Sequence, residues 1–212
     1  MCSKRGIVEW RRGRGSVWSR VGRDGMAWLV AAVLLASACG PAPSPPAASQ
    51  PAASAVSVQL VDHDGLMAEV HRHRGKVVVL DCWSTSCPPC VKEFPGLVAL
   101  AAAHRENIVC MSLAIEYDGI GTPEEVMPPV KTFLDKVGAS TITNFIASDE
   151  ADILYRKLDL ASVPAVSIWK PDGTLAIRYD DDMAARTLGR PFTYADVGDT
   201  VAAIVAEGDS VP

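Results

Sequence analysis

Two cysteines three positions apart, Cys87 and Cys90, are the residues best placed to do chemistry in this chain. They enclose Pro88-Pro89, follow the apolar run Val77-Val78-Val79-Leu80, and stand directly before a helical pattern. Where a strand hands over to a helix, the first cysteine falls at the helix start. The macrodipole and the free N–H groups there favour a thiolate. The second cysteine lies one turn on, within reach of an unstrained S–S bond. Two prolines are tolerated between them because first-turn N–H groups have no intrahelical partner. The competing reading of Cys-x-x-Cys is half a zinc site, which needs a second Cys or His pair at ligand spacing. The only later cysteine is Cys110, inside an apolar run. The pair therefore reads as a dithiol–disulfide couple, with neither metal nor cofactor expected.

The elements that must position this pair are legible as patterns. Apolar runs without polar alternation mark strands buried on both faces: residues 77–80, 108–115 and 165–169. The turn signal Pro171-Asp172-Gly173-Thr174 leads into Leu175 to Tyr179, which predicts a hairpin. Helical stripes fall on Phe94, Leu97, Val98 and Ala101, on Val130, Phe133, Leu134 and Val137, and on Val197, Val201, Ile204 and Val205. Ile153, Leu154 and Leu158 form a further helix, with Ser148 as its expected N-cap. The order β-α-β-α-α-β-β-α predicts an α/β core, a central mixed β-sheet flanked by helices on both faces. Residues 116–129, with Gly119, Gly121, Pro123, Pro128 and Pro129, read as a loop. His63, His71 and His73 read as a solvated edge, and Asp180-Asp181-Asp182 lacks calcium-loop spacing. Cys82 and Cys110 read as small buried hydrophobes.

Trp83 four before Cys87, Cys87-Pro88-Pro89-Cys90, Glu93-Phe94-Pro95 and Ser162-Val163-Pro164-Ala165 resemble the thioredoxin superfamily. Within it they resemble the TlpA/ResA branch of exported, membrane-tethered thiol–disulfide reductases, over the stretch from Lys76 to the final helix. The resemblance implies a thioredoxin-like fold in which Pro95 interrupts the helix and Pro164 is the cis-proline facing the active-site sulfurs. Val163 is then expected to offer its backbone to an extended substrate strand, binding with little sequence preference, and Trp83 is grouped with Val163 and Pro164 as substrate-contacting. Two carboxylates match proton acceptors for Cys90. Asp81 matches the buried Asp of cytosolic thioredoxins, and Glu93 matches the Glu that the exported branch carries three after its second Cys. Burial raises the pKa of either, and the choice between them stays open. Two departures stand out: Ser86 replaces the usual Trp before the first Cys, and residues 108–115 contain no basic partner for Asp81.

The partners implied are proteins with disulfides, apocytochrome c among them, and an integral-membrane thiol carrier as electron donor. Rivals on the same fold are a disulfide-forming oxidase, a peroxiredoxin and a copper-handling protein. Ser84 stands where the peroxiredoxin pattern Thr-x-x-Cys needs Thr, and the Cys-x-x-x-Cys spacing of copper carriers is absent.

Composition bounds the rest. The 212 residues are 49% hydrophobic and 21% charged, with a formal net charge of −5. Residues 1–38 carry seven Lys or Arg against two acids; the remainder has 13 basic and 23 acidic side chains, a net of −10. A body that acidic argues against nucleic acid as partner, since phosphate contacts need a basic face. Arg11, Arg12, Arg14, Arg20 and Arg23 precede an apolar run from Met26 to Ala38. At 13 residues the run is too short to span a ~30 Å hydrocarbon core, and residues 1–38 read as a signal peptide. Leu35-Ala36-Ser37-Ala38-Cys39 resembles a lipobox, with Ala36 where Leu is usual. An acylated Cys39 is the expectation, with a soluble secreted form or an uncleaved anchor as alternatives. Residues 39–55, rich in Pro, Ala and Ser, form a semi-extended spacer, and residues 56–212 form one domain. Cys39→Ser should move the protein from the membrane to the soluble fraction; unchanged fractionation and mass would overturn lipidation.

Overall fold

Strand β2 (Val77–Trp83) is buried along its whole length, and the sheet extends outward from it. The computed structural model describes residues 55–208. The leader of residues 1–38 and its Cys39, and residues 40–54 of the spacer, lie outside the described residues. Within them, a six-stranded sheet has the order β1-β4-β3-β2-β5-β6. Its strands are β1 (Val58–Val61), β2, β3 (Ile108–Ala114), β4 (Thr143–Ala147), β5 (Ala165–Trp169) and β6 (Leu175–Tyr179). β2 runs parallel to β3, as do β3 to β4 and β4 to β1, whereas β5 is antiparallel to both β2 and β6. The mixed sheet expected from the sequence is therefore present, and this is a thioredoxin-like fold.

Alternation along β2 divides the core in two. Val77, Val79 and Trp83 face α2 (Pro88–Ala103), α3 (Met127–Val137) and α6 (Tyr194–Gly208). Val78, Leu80 and Cys82 face α1 (His63–Arg72) and α4 (Ala151–Lys157). A strand with both faces covered reads as a continuous apolar run, which is why residues 77–80 announced it. Above β2, Trp83, Phe94 and Phe133 form an aromatic cluster with ring centroids 4.9 to 5.3 Å apart.

The structure corrects several expectations. β1, α1, β4 and α5 (Asp181–Thr187) are elements the patterns did not show. α1 buries only Leu66 and Val70, too sparse a stripe to read. β4 carries Asn144, a poor strand former, whose amide donates to the carbonyls of Ala139 and Ile142 while its oxygen accepts from Ser112 at 2.9 Å. α4 is preceded by Glu150, not Ser148, and has no side-chain cap. Pro128 and Pro129 belong to the first turn of α3 and not to the loop, where Pro is compatible with the helix. Asp180 caps α5 through the Met183 N–H and pairs with Arg178. The β5–β6 hairpin forms as expected: Lys170 N–H donates to the Thr174 carbonyl at 2.8 Å, and Gly173 takes a φ of 86° that favours glycine. No helix among the described residues is long and apolar enough to cross a membrane.

Phe94 has no exposed surface and joins α2 to the aromatic cluster. Phe94→Ala should destabilise the domain by about 3–5 kcal/mol, read as a lower urea midpoint with an unchanged slope.

Candidate functional site

The carboxyl end of β2 delivers the chain to α2 through residues 84–87, and this short passage is braced at each step. Cys87 N–H donates to the Ser84 carbonyl at 3.2 Å, and Ser86 N–H donates to Ser84 Oγ at 3.1 Å. Thr85 N–H donates to a carboxylate oxygen of Glu116, just beyond β3. Cys87 is the N-cap residue of α2, with Pro88 and Pro89 in the first turn. Neither proline has an N–H. The Cys90 N–H is the one that reaches Cys87 Sγ, at 3.2 Å.

Cys87 and Cys90 are joined in a disulfide, with Cα atoms 5.3 Å apart. The two sulfurs are not equivalent. Cys87 is half-buried, and its Sγ lies 3.6 Å from the Val163 carbonyl oxygen. Cys90 is only 2% exposed, packed in the core beneath its helix. The Val163–Pro164 peptide is cis. The fold thus brings Cys87, Cys90, Val163 and Pro164 to one place. Trp83 does not join them on the surface: it has no exposed area and packs against Phe94 and Phe133 with tilted rings. Its grouping with the substrate-contacting residues is corrected, because alternation on β2 turns its ring into the core.

The two carboxylates have separated environments. Glu93 is part-exposed and pairs with the exposed Lys92 at 3.4 Å. Asp81 is 3% exposed and, between Val79 and Trp83 on the strand, faces the side covered by α2. Desolvation raises its carboxyl from 3.8 to about 7, opposed by a hydrogen bond from Tyr194. The Tyr194 hydroxyl donates to Asp81 Oδ2 at 2.6 Å, and Oδ1 has no hydrogen-bond partner among the described residues. Burial also pushes the Cys110 thiol up to about 12 and the Cys82 thiol higher still. Both are free, buried and inert in this environment.

Tyr194, Gly96 and Glu116 are site residues that sequence reasoning missed. Tyr194 lies 113 positions from Asp81, and no local pattern links them. Gly96 did carry a signal: a glycine inside a helical stripe marks a close approach. A Cβ there would come within 2.4 Å of the Tyr194 Cβ. Glu116 sits in a stretch that read only as a loop.

A helix-start dithiol pair facing a cis-proline, on a sheet of this order, defines a thioredoxin-like protein with a redox-capable site. No family model matches the chain. It is 31% identical over 86 residues to the thiol-disulfide oxidoreductase ResA of Halalkalibacterium halodurans, a match covering 41% of this chain and 45% of that protein. The matched stretch thus spans less than half of its relative. A crystal structure of a thioredoxin-like superfamily protein aligns at 16% identity over 68% of this chain and 87% of that chain, with a TM-score of 0.50. A secreted disulfide oxidoreductase of Mycobacterium tuberculosis, described as homologous to DsbE of E. coli, aligns at 22% identity over 63% of this chain and 85% of that chain, with a TM-score of 0.47. The solved structure at a TM-score of 0.50 agrees with the thioredoxin-like fold, and the 86 matched residues are similar to ResA.

The Asp81 environment has a consequence for stability. The folded protein holds this proton more tightly than the unfolded chain, so its stabilising effect is complete below about pH 4 and is lost as pH rises through about 7. Asp81→Asn cannot ionise. Between pH 5 and pH 8 the stability of the parent should fall relative to Asp81→Asn by on the order of 3 kcal/mol. Urea denaturation of both at the two pH values checks this, and parallel profiles would exclude a buried ionising Asp81.

Proposed function

We propose that this chain is an exported thiol–disulfide oxidoreductase that reduces disulfides of other proteins through Cys87 and Cys90. The observation that carries the reading is the asymmetry of the pair: one sulfur half-exposed at a helix start beside Val163, the other shielded in the core. The likeness to ResA supports the activity, and the Arg-rich start with its apolar run supports export.

The reduced protein begins with Cys87 as thiolate. That thiolate attacks one sulfur of a substrate disulfide, and the other substrate sulfur leaves as a thiolate that takes a proton from water. The mixed disulfide is held at Cys87, with the substrate backbone extended along Val163. Cys90 loses its proton to a carboxylate and attacks Cys87 Sγ, which expels the substrate's second thiolate. Two electrons have passed from the dithiol to the substrate. Asp81 is the better acceptor of the Cys90 proton, since it is buried with one oxygen unpartnered among the described residues, whereas Glu93 is engaged with Lys92. A membrane thiol carrier re-reduces the pair, and apocytochrome c is one substrate that suits a ResA-like reductase.

The direction of electron flow follows from the donors around Cys87. A pair becomes oxidising when its thiolate is stabilised. Here the prolines withhold two N–H groups, and the Cys90 N–H is the donor to Cys87 Sγ. No His or Lys stands between the cysteines. The potential should therefore lie nearer the ~−270 mV of thioredoxin than the ~−120 mV of a strong oxidant. Pro89→His restores an N–H and adds a partly cationic ring, and should raise the potential by tens of millivolts on the ~30 mV per 1.4 kcal/mol scale. Equilibration against glutathione measures both. A parent value above roughly −180 mV would favour the oxidase.

A further inference from the structure

Tyr194 is the first residue of α6, and its ring crosses α2 at Gly96 to reach Asp81. The crossing needs glycine, since a Cβ at position 96 would sit 2.4 Å from the Tyr194 Cβ and 2.5 Å from its Cγ. The start of α6 is itself anchored. The Asp196 carboxylate accepts from the Thr193 N–H at 2.8 Å and pairs with Arg190 at 2.6 Å, and the Tyr179 hydroxyl donates to the Asp196 carbonyl at 3.0 Å. The Tyr194 hydroxyl is thus held against one oxygen of a buried carboxylate whose other oxygen has no hydrogen-bond partner among the described residues.

We propose that Tyr194 is the positioning residue of the resolving step: it holds Oδ2 of Asp81 and leaves Oδ1 as the oxygen that takes the Cys90 proton. This deepens the reading of Asp81 as proton acceptor and rests on it. The S–H bond of Cys90 breaks as an O–H bond forms at Oδ1. The Cys90 thiolate then attacks Cys87 Sγ, forming the intramolecular S–S bond and expelling the substrate thiolate. Asp81 afterwards returns its proton to solvent. Tyr194 keeps its own proton throughout, because burial and the neighbouring Asp81 charge raise its pKa well above 10. The thiols whose electrostatics couple to Asp81 are Cys82 beside it and Cys110 on β3; both stay neutral, pushed far up by burial. Arg178 on β6 also acts on Cys82, but it is committed to Asp159 and Asp180. The hydroxyl of Tyr194 is thus the donor that favours the ionised carboxylate.

The test follows both thiol steps of the reduced full chain with Ellman's disulfide across pH. The first thionitrobenzoate released reports Cys87 attack, and the second reports resolution by Cys90. Tyr194→Phe keeps the ring over Gly96 and removes the donor, so the acid limb of the second phase should move up by about one pH unit. Its rate at pH 7 should then fall about five-fold, since a limb near 7 leaves about half the carboxylate ionised and one near 8 about a tenth. The first phase should not move. Gly96→Ala, which displaces the ring, should shift the second phase in the same direction. Superimposable second phases for parent and Tyr194→Phe, with the limb abolished in Asp81→Asn, would overturn the role of Tyr194 and leave Asp81 as acceptor. A limb that persists in Asp81→Asn would overturn both.

Discussion

Covering β2 on both faces is the constraint from which the remainder of the structure follows. Each of its seven residues is buried, with β3 on one side, β5 on the other, and helices above and below. Such a strand has no solvent face on which to present chemistry. Reactive groups can stand only where the chain leaves the sheet, and that is where Cys87 begins α2. The same burial makes Asp81 exceptional, because a carboxylate enclosed in apolar surroundings is costly to ionise. Disulfide pair and buried acid are therefore two consequences of one strand.

At the exit from that strand, hydrogen bonds replace packing as the organising force. Ser84, Ser86 and Glu116 secure the backbone of residues 84–87, which leaves Cys87 in an extended N-cap conformation. Its sulfur then occupies the place where a capping oxygen would normally accept from the third N–H of the helix, and the Cys90 N–H makes that bond. The prolines both shape the turn and thin out its donors. Shielding of Cys90 follows from helical geometry, since a residue three beyond the cap points back toward the sheet.

The buried acid has a neutral partner, Tyr194, and the neighbouring strand β3 carries no basic residue. A hydroxyl compensates a carboxylate less than an ammonium group does, which agrees with desolvation remaining the dominant influence on Asp81. The arrangement joins three distant elements: β2 supplies the acid, α2 the glycine gap, and α6 the donor.

Local patterns sufficed for elements whose environment is uniform. A doubly buried strand such as β5 is apolar throughout, and helices such as α3 and α6 carry full stripes, so Ala165 to Trp169 and Val130 to Val137 were readable directly. The Cys-Pro-Pro-Cys turn was readable for the same reason, because strand, cap and first turn are contiguous in the chain. Edge strand β1, the sparse helix α1 and the Asn-containing β4 were not, since each depends on a partner far away in sequence. For β4 that partner is Ser112, together with the carbonyls that satisfy Asn144. Sequence alone thus pointed to the cysteine pair, the fold class and the two candidate acids. The tertiary structure decided which acid is buried, that Trp83 belongs to the core, and that Tyr194 meets Asp81. Burial and hydrogen-bond partnership are properties of surroundings, and surroundings are assembled from residues a hundred positions apart.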